Sequence, residues 1–252
     1  MENNETNKIE EENNKKEQSD KIIIIVWIVS IILIIGMIIA GIIMLQNNAA
    51  GCKNNNKLNA ERFHGDHMVA DKPVIYLYPE KETQLTVKLG KKENITCSYP
   101  QYKDGWNVIA KPDGTLIDTE TGRKLYSLYW EGIDYEKPDT TEGFVVKGSD
   151  TIKFLEEKLS ILGLNEIEAE EFIIYWLPKM QNNKYNYIRF ATMDEINRNM
   201  PLEFSTKPDT VIRILMQYKA LDSKIEVKEQ QLSTPERKGF TAVKWGGTEL
   251  DK

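Results

Sequence analysis

Residues 149–178 read SDTIKFLEEKLSILGLNEIEAEEFIIYWLP, and their pattern decides the fold class. The first half places apolar side chains at helical spacing and ends at Gly163, a residue type that favours the left-handed conformation after a helix. In the second half, Asn165 and Glu168 have the spacing of a capping box, and Pro178 is expected to close the helix. The stretch therefore predicts a helical hairpin. The expected buried stripe of its first helix is Ile152, Leu155, Leu159 and Leu162.

Segments with strand character lie on both sides of this hairpin. Residues 84–89 alternate polar and apolar side chains, which is typical of a half-buried strand. Residues 211–218 are apolar on both faces except for Arg213 and Gln217, which is typical of a central strand. Further short runs fall at 95–99, 106–110, 115–117, 124–130, 144–146, 185–190, 225–227 and 240–245. The fold class is therefore α+β: a β-rich, mainly antiparallel domain with an inserted helical hairpin.

A long apolar run precedes this domain. Residues 22–45 carry no charged side chain, and 13 of these 24 residues are isoleucine. A helix of this length extends about 36 Å, enough to span a hydrocarbon core of about 30 Å with some tilt. We therefore expect a polar disordered tail at 1–21, a single transmembrane helix at 22–45, a flexible tether at 46–70 and a globular domain at 71–252.

The lysines that flank the predicted transmembrane helix indicate its orientation. Within about 15 residues, four lysines precede the helix and two follow it, which favours a cytoplasmic N-terminus. The domain is then expected outside the cytoplasm, with the lipid bilayer as one partner. Two alternatives remain. Cys52 follows small residues as in a bacterial lipoprotein signal, which would make the chain a lipoprotein, or the domain faces the cytosol.

The chain has two cysteines, Cys52 and Cys97, and they allow two interpretations. Outside the cytoplasm they can form a disulfide that ties the tether to the sheet. The interpretation favoured by the sequence alone is two free thiols, with Cys97 half-buried in a strand.

Several catalytic chemistries lack their residues in region 71–252. Both histidines, His64 and His67, precede it, so it can build neither a Ser-His-Asp triad nor a histidine-rich zinc site. The glycines Gly143 and Gly148 have P-loop spacing, but the required lysine is missing. We therefore expect no metal and no cofactor. The region holds 30 acidic and 26 basic side chains, which disfavours nucleic acid as a partner.

Aromatic and acidic side chains are the functional groups that remain. The densest cluster is Tyr126, Tyr129, Trp130 and Glu131. Tyrosine and tryptophan offer a flat apolar face with a polar end, and such faces beside acids can hold carbohydrate. On a regular strand Tyr126 and Trp130 would share one face, and Tyr129 and Glu131 the other. The three aromatic residues are therefore candidate ligand-binding residues. The competing interpretation is that Trp130 belongs to the core.

A pair of carboxylates is the simplest hydrolytic machinery that needs no histidine, as in glycosidases. Glu131 and Glu249, each near a glycine at an expected strand end, are the candidate catalytic pair. No other catalytic residues are predicted.

The segment KPVIYLYP at residues 72–79 resembles a family of uncharacterised microbial proteins that share this string. Further segments resemble the same family in the same order; they are GW, PDGTL, YWEG, FIIYWLP, TPERKGF and WGG, which begin at residues 105, 112, 129, 172, 234 and 245. The resemblance covers about residues 72–250. It implies no activity, ligand or catalytic residue, because none is established for that family.

The expected function is that of a non-enzymatic, extracytoplasmic binding or envelope-interaction module, with an envelope glycan or protein as its partner. A carboxylate-based, carbohydrate-active hydrolase is one alternative. The other is a structural or assembly subunit of a membrane complex that acts through its transmembrane helix.

Overall fold

The computed structural model describes Trp27 and residues 33–37, 68–134 and 138–250. Trp27 and residues 33–37 are helical and exposed. The rest of the predicted transmembrane helix lies outside the described residues, as do the predicted tail and most of the tether. Within the described ranges, no helix combines the length and apolar character that a membrane crossing requires.

Strands dominate the described part of the chain. They are β1 (Met68–Tyr78), β2 (Thr83–Leu89), β3 (Ile95–Tyr99), β4 (Trp106–Ala110), β5 (Leu116–Asp118), β6 (Lys124–Leu125), β7 (Leu128–Asp134), β8 (Glu142–Lys147), β9 (Tyr185–Phe190), β10 (Leu202–Phe204), β11 (Thr210–Leu221), β12 (Lys228–Glu229) and β13 (Thr241–Glu249). Eight strands form a large sheet in the order β12-β8-β9-β11-β13-β1-β7-β3, and five form a smaller sheet in the order β10-β2-β4-β5-β6. The pairs β11–β13 and β12–β8 are parallel, and the other pairs are antiparallel. The α+β, mainly antiparallel prediction is confirmed.

The helical hairpin consists of α1 (Thr151–Ile161) and α2 (Glu166–Met180), and a short helix α3 (Met193–Asn199) follows β9. The predicted capping box is present, because Asn165 accepts from the Glu168 backbone while the Glu168 side chain accepts from the Asn165 backbone. The prediction that Pro178 closes α2 is wrong. The helix runs through Pro178, because the carbonyl that loses its partner belongs to Ile174 on the solvent side of the helix, where water can satisfy it.

The large sheet is covered on both faces, so the domain has three layers. Side chains of β1 alternate between the faces: Val74 and Tyr76 pack under α1 and α2, whereas Ile75 and Leu77 pack against the smaller sheet. Central strand β11 is apolar on the helix face, as predicted. Two cores result, one under the hairpin and one between the sheets.

Several local predictions are wrong. Residues 124–130 were expected to form one strand, but β6 belongs to the smaller sheet and β7 to the large one, so the strand breaks at residues 126–127. The expected strand at 225–227 is absent; in its place β12 pairs at Lys228–Glu229. Ile152 is 45% exposed, since Thr151 occupies the buried position at the start of α1. Strand β1 was not predicted, and it begins three residues before the expected start of the domain at residue 71. Helix α3 was not predicted either.

Candidate functional site

A β-bulge in β1 organises one end of the helix-covered face. Ala70 pairs with Gly132 and Val74 with Tyr129, so three residues of β1 lie opposite two of β7. The register with β13 shifts at the same place. Lys72 lies in the bulge with a φ of 48°, a left-handed conformation that is uncommon for a residue with a side chain. Bulges re-aim side chains, and here the bulge turns Lys72 towards the helix layer.

Two glycines of β13 make room beside the bulge. A Cβ on Gly246 would lie 3.1 Å from the Pro73 Cα atom, and a Cβ on Gly247 would lie 2.5 Å from Cζ2 of Trp176. Any side chain at Gly247 would therefore collide with the Trp176 ring, which is fully buried. The distant segments KPVIYLYP, FIIYWLP and WGG thus meet at one place in the fold.

The amino groups of two lysines flank the ring of Tyr175 above the bulge. Lys72 Nζ lies 5.1 Å from the ring centroid and Lys179 Nζ 4.3 Å, both within cation–π distance. Lys179 also donates to the Tyr175 hydroxyl at 3.1 Å and lies 3.4 Å from Asp71 Oδ2. These contacts fix the edge of α2 over the end of β1.

A polar stripe of α2 runs along β1 from this point. Its members, at helical spacings of three and four residues, are Glu168, Glu171, Tyr175 and Lys179. The Tyr76 hydroxyl donates to Glu171. Arg237 donates to Glu168 and, at 3.0 and 2.9 Å, to the carbonyl of Gly163. The stripe therefore lies over the tyrosines of β1 and is held there by hydrogen bonds and ion pairs.

Tyrosines beside the stripe are held in their neutral form. Burial, followed by the hydrogen bond to Glu171, raises the pKa of Tyr76 well above its usual range. Burial and the hydrogen bond to Glu131 do the same to the pKa of Tyr129. Burial and the charge of Asp71 raise the pKa of Tyr175. Each phenol therefore keeps its proton and acts as a hydrogen-bond donor as well as an apolar face.

Beyond α2, the edge of the large sheet is only partly covered. Tyr99 of β3 pairs with Tyr129 of β7, and Cys97 pairs with Glu131, so each pair shares a face. Tyr99 is 50% exposed, and Tyr126 is 61% exposed. The Tyr126 ring lies 6.4 Å from that of Tyr76. We name the tyrosine surface as the side chains that these contacts bring together: Tyr99, Tyr126, Tyr129, Glu131, Glu171 and Tyr175.

The structure places the three predicted ligand-binding residues differently. Tyr126 and the half-buried Tyr129 both belong to the tyrosine surface. Trp130 is only 2% exposed and packs in the core between the sheets, out of reach of an external ligand. The expected shared face of Tyr126 and Trp130 is wrong, because the strand breaks after β6 and Tyr126 turns to the helix side.

The candidate carboxylates Glu131 and Glu249 lie on the same face, on opposite sides of β1. Strands β7 and β13 both flank β1, so their backbones are about 10 Å apart. Glu131 lies close enough to Tyr129, and the exposed Glu249 close enough to Tyr218, to raise the pKa of each tyrosine, although burial is the larger cause in both. Asp71, on β1 between them, is held by Lys179. The two carboxylates thus border one site, although Glu131 lies within its strand rather than at a strand end.

Sequence reasoning missed six residues in and around this site: Asp71, Lys72, Tyr99, Glu171, Tyr175 and Lys179. One available signal was the 168, 171, 175, 179 spacing, which gives α2 a polar stripe between two apolar ones. The other was the Lys-Pro pair within a strand-like run, since proline inside a sheet marks a bulge or an edge.

The described residues contain no group of three or more His, Cys, Asp or Glu side chains arranged to hold a metal ion. Cys97 is disulfide-bonded, which overturns the preference for free thiols. The only other cysteine in the sequence is Cys52, which lies outside the described residues.

Comparisons with known proteins give one relative. A protein of Butyrivibrio fibrisolvens, described as an uncharacterized protein in the bglA 3′ region, is 35% identical over 85 residues, which are 32% of this chain and 79% of that protein. No family model matches the chain. No solved structure matches it either.

Proposed function

We propose that this chain, which belongs to the same family as the uncharacterized Butyrivibrio fibrisolvens protein, is a membrane-anchored, non-enzymatic module that binds envelope carbohydrate outside the cytoplasm. The observation that carries the proposal is the tyrosine surface, where four partly exposed tyrosines lie beside two carboxylates. The domain would present this surface on the stalk formed by the predicted helix at 22–45 and tether at 46–70.

The chemistry of the tyrosine surface suits a neutral, hydroxyl-rich chain. Each phenol ring offers an apolar face to the C–H side of a sugar ring, and its hydroxyl offers a donor. Glu131 and Glu171 offer carboxylate oxygens that accept from sugar hydroxyls, in hydrogen bonds stronger than neutral ones. The exposed Tyr99 and Tyr126 lie at the rim, where a long chain can reach them without entering the core.

Binding is favoured over hydrolysis because the carboxylates are already engaged. Glu171 accepts from Tyr76, Glu131 lies beside Tyr129, and Asp71 is paired with Lys179. A general acid needs a carboxyl group that is free to donate its proton to the leaving group, whereas these carboxylates already have partners in the protein. The hydrolase alternative keeps one supporting observation, which is the shared face of Glu131 and Glu249.

The disulfide at Cys97 supports an oxidising compartment, since disulfides persist in secreted and surface-exposed domains and are rare in the cytosol. It fits the orientation that the lysine distribution favours. Compartment is tested by labelling Cys52 with a membrane-impermeant maleimide in intact cells that carry Cys97→Ser, with lysed cells as the control. Labelling before lysis supports the outside position; labelling only after lysis contradicts it.

Carbohydrate binding is tested by co-sedimenting the full-length chain with purified cell-wall glycan. We expect retention without release of reducing sugar, and about tenfold weaker retention for Tyr126→Ala, which corresponds to a loss of about 1.4 kcal/mol. Tyr185→Ala, on β9 away from the tyrosine surface, is the matched control and should bind like the unmodified chain. Equal retention of both variants would contradict the proposal. Release of sugar that Glu131→Gln abolishes would establish the hydrolase instead.

A further inference from the structure

The other face of the large sheet contains a cavity of about 300 Å³, between α3, β10 and β11. Its lining combines the apolar residues Met193, Leu202, Phe204 and Val211 with the polar residues Asn197, Lys207 and Arg213. A water molecule takes up about 30 Å³ in the liquid, so the cavity has room for about ten groups of that size. It is thus large enough for a small organic molecule.

Arg213 brings a buried positive charge to this cavity. The residue is only 7% exposed. Its Nη1 atom donates to Asn197 Oδ1 at 2.5 Å and its Nη2 atom to the Met200 carbonyl at 2.6 Å. The Nε atom is buried without a hydrogen-bond partner. Both oxygens that the guanidinium contacts are neutral.

The Arg213 guanidinium lacks a counter-ion in the part of the chain that the structure describes. Burial alone lowers its pKa to about 10, with no acidic side chain offsetting the shift. Neighbouring Arg189, on the adjacent strand, is by contrast ion-paired to Glu195 at 3.0 Å and bonded to Gln217 at 2.6 Å. An uncompensated buried charge is strongly unfavourable, so a buried arginine is normally paired. An anion bound in the pocket would therefore neutralise the unpaired charge of Arg213.

We propose that this pocket binds a small monoanionic carboxylate with an apolar tail, whose carboxylate pairs with Arg213 and whose tail contacts Leu202, Phe204 and Val211. The guanidinium has five N–H donors and uses two of them within the protein, so donors remain for a carboxylate. Among the residues that line the pocket, Arg213 is the buried cation and Lys207 is exposed, so the pocket supplies one desolvated positive charge. A phosphate dianion would leave its second charge without a buried cation, which is unfavourable. The pocket is independent of the tyrosine surface, so the proposal goes beyond the proposed function.

Hexanoate is the probe, and the full-length chain in lipid nanodiscs is the protein. We expect hexanoate to raise the Tm, because a ligand that binds only the native state stabilises it. The neutral isostere hexanamide should raise the Tm much less. Arg213→Gln should weaken hexanoate binding at least tenfold, about 1.4 kcal/mol. The exposed Arg123→Gln is the matched control and should bind like the unmodified chain.

A second variant separates loss of the ion pair from loss of the fold. Val211→Phe leaves Arg213 in place but fills the cavity, and it should also abolish the hexanoate-induced shift. Equal shifts in the unmodified chain and in Arg213→Gln would overturn the proposal. It would also be overturned by equal stabilisation from hexanamide, or by inorganic phosphate binding more tightly than hexanoate.

Discussion

The tyrosine surface and the Arg213 pocket lie on opposite faces of the large sheet, and they differ in how their charged groups are paired. On the helix face, Tyr76 donates to Glu171, Glu131 lies beside Tyr129, and Lys179 pairs with Asp71. On the opposite face, Arg213 contacts only neutral oxygens and keeps one donor unpaired. A half-exposed surface whose charged groups are paired suits many weak contacts with a polymer. A buried, unpaired charge suits one small ion of opposite sign.

Two arginines on neighbouring strands β9 and β11 can be compared on the same face of the large sheet, the one opposite the helices. Arg189 is paired with Glu195 and Gln217, so its burial is compensated within the chain. Arg213 has similar burial without an acid. Burial therefore does not distinguish the two arginines, whereas pairing with an acid inside the chain does.

The largest expected effect is a loss of stability from a substitution that disrupts packing on the helix face only. Gly247→Val places side-chain atoms against the Trp176 ring and should lower the free energy of unfolding by about 4 kcal/mol. Gly246→Ala, whose Cβ meets Pro73 at a looser 3.1 Å, should cause a clearly smaller loss. Urea unfolding of the full-length chain measures both. A smaller loss for Gly247→Val than for Gly246→Ala would show that Trp176 does not fix this face.

The next effect sharpens the comparison between the arginines. Arg189→Met leaves Glu195 and the buried Gln217 without their partner, and should cost about 3 kcal/mol. Arg213→Met removes an uncompensated charge, and this gain offsets the lost hydrogen bonds to Asn197 and the Met200 carbonyl, so stability should change by less than about 1 kcal/mol in the absence of ligand. Both follow from urea unfolding at neutral pH. Equal losses would mean that Arg213 is compensated by the chain itself.

The smallest expected effect is on the pH dependence of stability, in which one face contributes at alkaline pH and the other at acid pH. The raised pKa of Tyr76 means that the unfolded chain loses this proton first above pH of about 10, so stability falls as pH rises there. Burial opposes ionisation of Glu195, but hydrogen bonds from Arg189 and Thr192 outweigh it and lower the Glu195 pKa. Below the ordinary glutamate pKa of about 4.3, the unfolded chain therefore binds this proton first, and stability falls as pH falls.

Two variants should each flatten one limb of that pH profile. Tyr76→Phe should reduce the alkaline loss and leave the acid limb unchanged, whereas Glu195→Gln should do the reverse. Urea midpoints across the pH range provide the measurement. If Tyr76→Phe altered the acid limb instead, the assignment of the tyrosine proton would be wrong.

Local signals in the sequence predicted much of the frame. The capping box at Asn165 and Glu168, the alternation in β2 and the apolar run in β11 each act over a few residues, and each is confirmed. Arg213 also stood out in that run as a charge in a central strand. Its lack of an acid could not be read from the sequence, because ion pairing depends on which side chains the fold brings near.

The candidate site was only partly predictable, because its parts meet through sheet register. The bulge at Lys72 is defined by the pairing of β1 with β7 and β13, and both of these strands lie far from Lys72 in the sequence. Strand alternation placed Tyr129 and Glu131 on one face correctly, but failed for Tyr126 where the chain passes between sheets. Trp130 could be core or ligand-facing on sequence alone, and only the second sheet decides for core.

Hydrogen–deuterium exchange of the full-length chain, with and without cell-wall glycan, tests the central claim most directly. Bound carbohydrate should slow exchange at residues 126–131 and 171–179, which carry most of the tyrosine surface, and leave residues 193–213 around the Arg213 pocket unchanged. Slower exchange confined to residues 193–213, or no change at either face, would contradict the assignment of the tyrosine surface as the carbohydrate site.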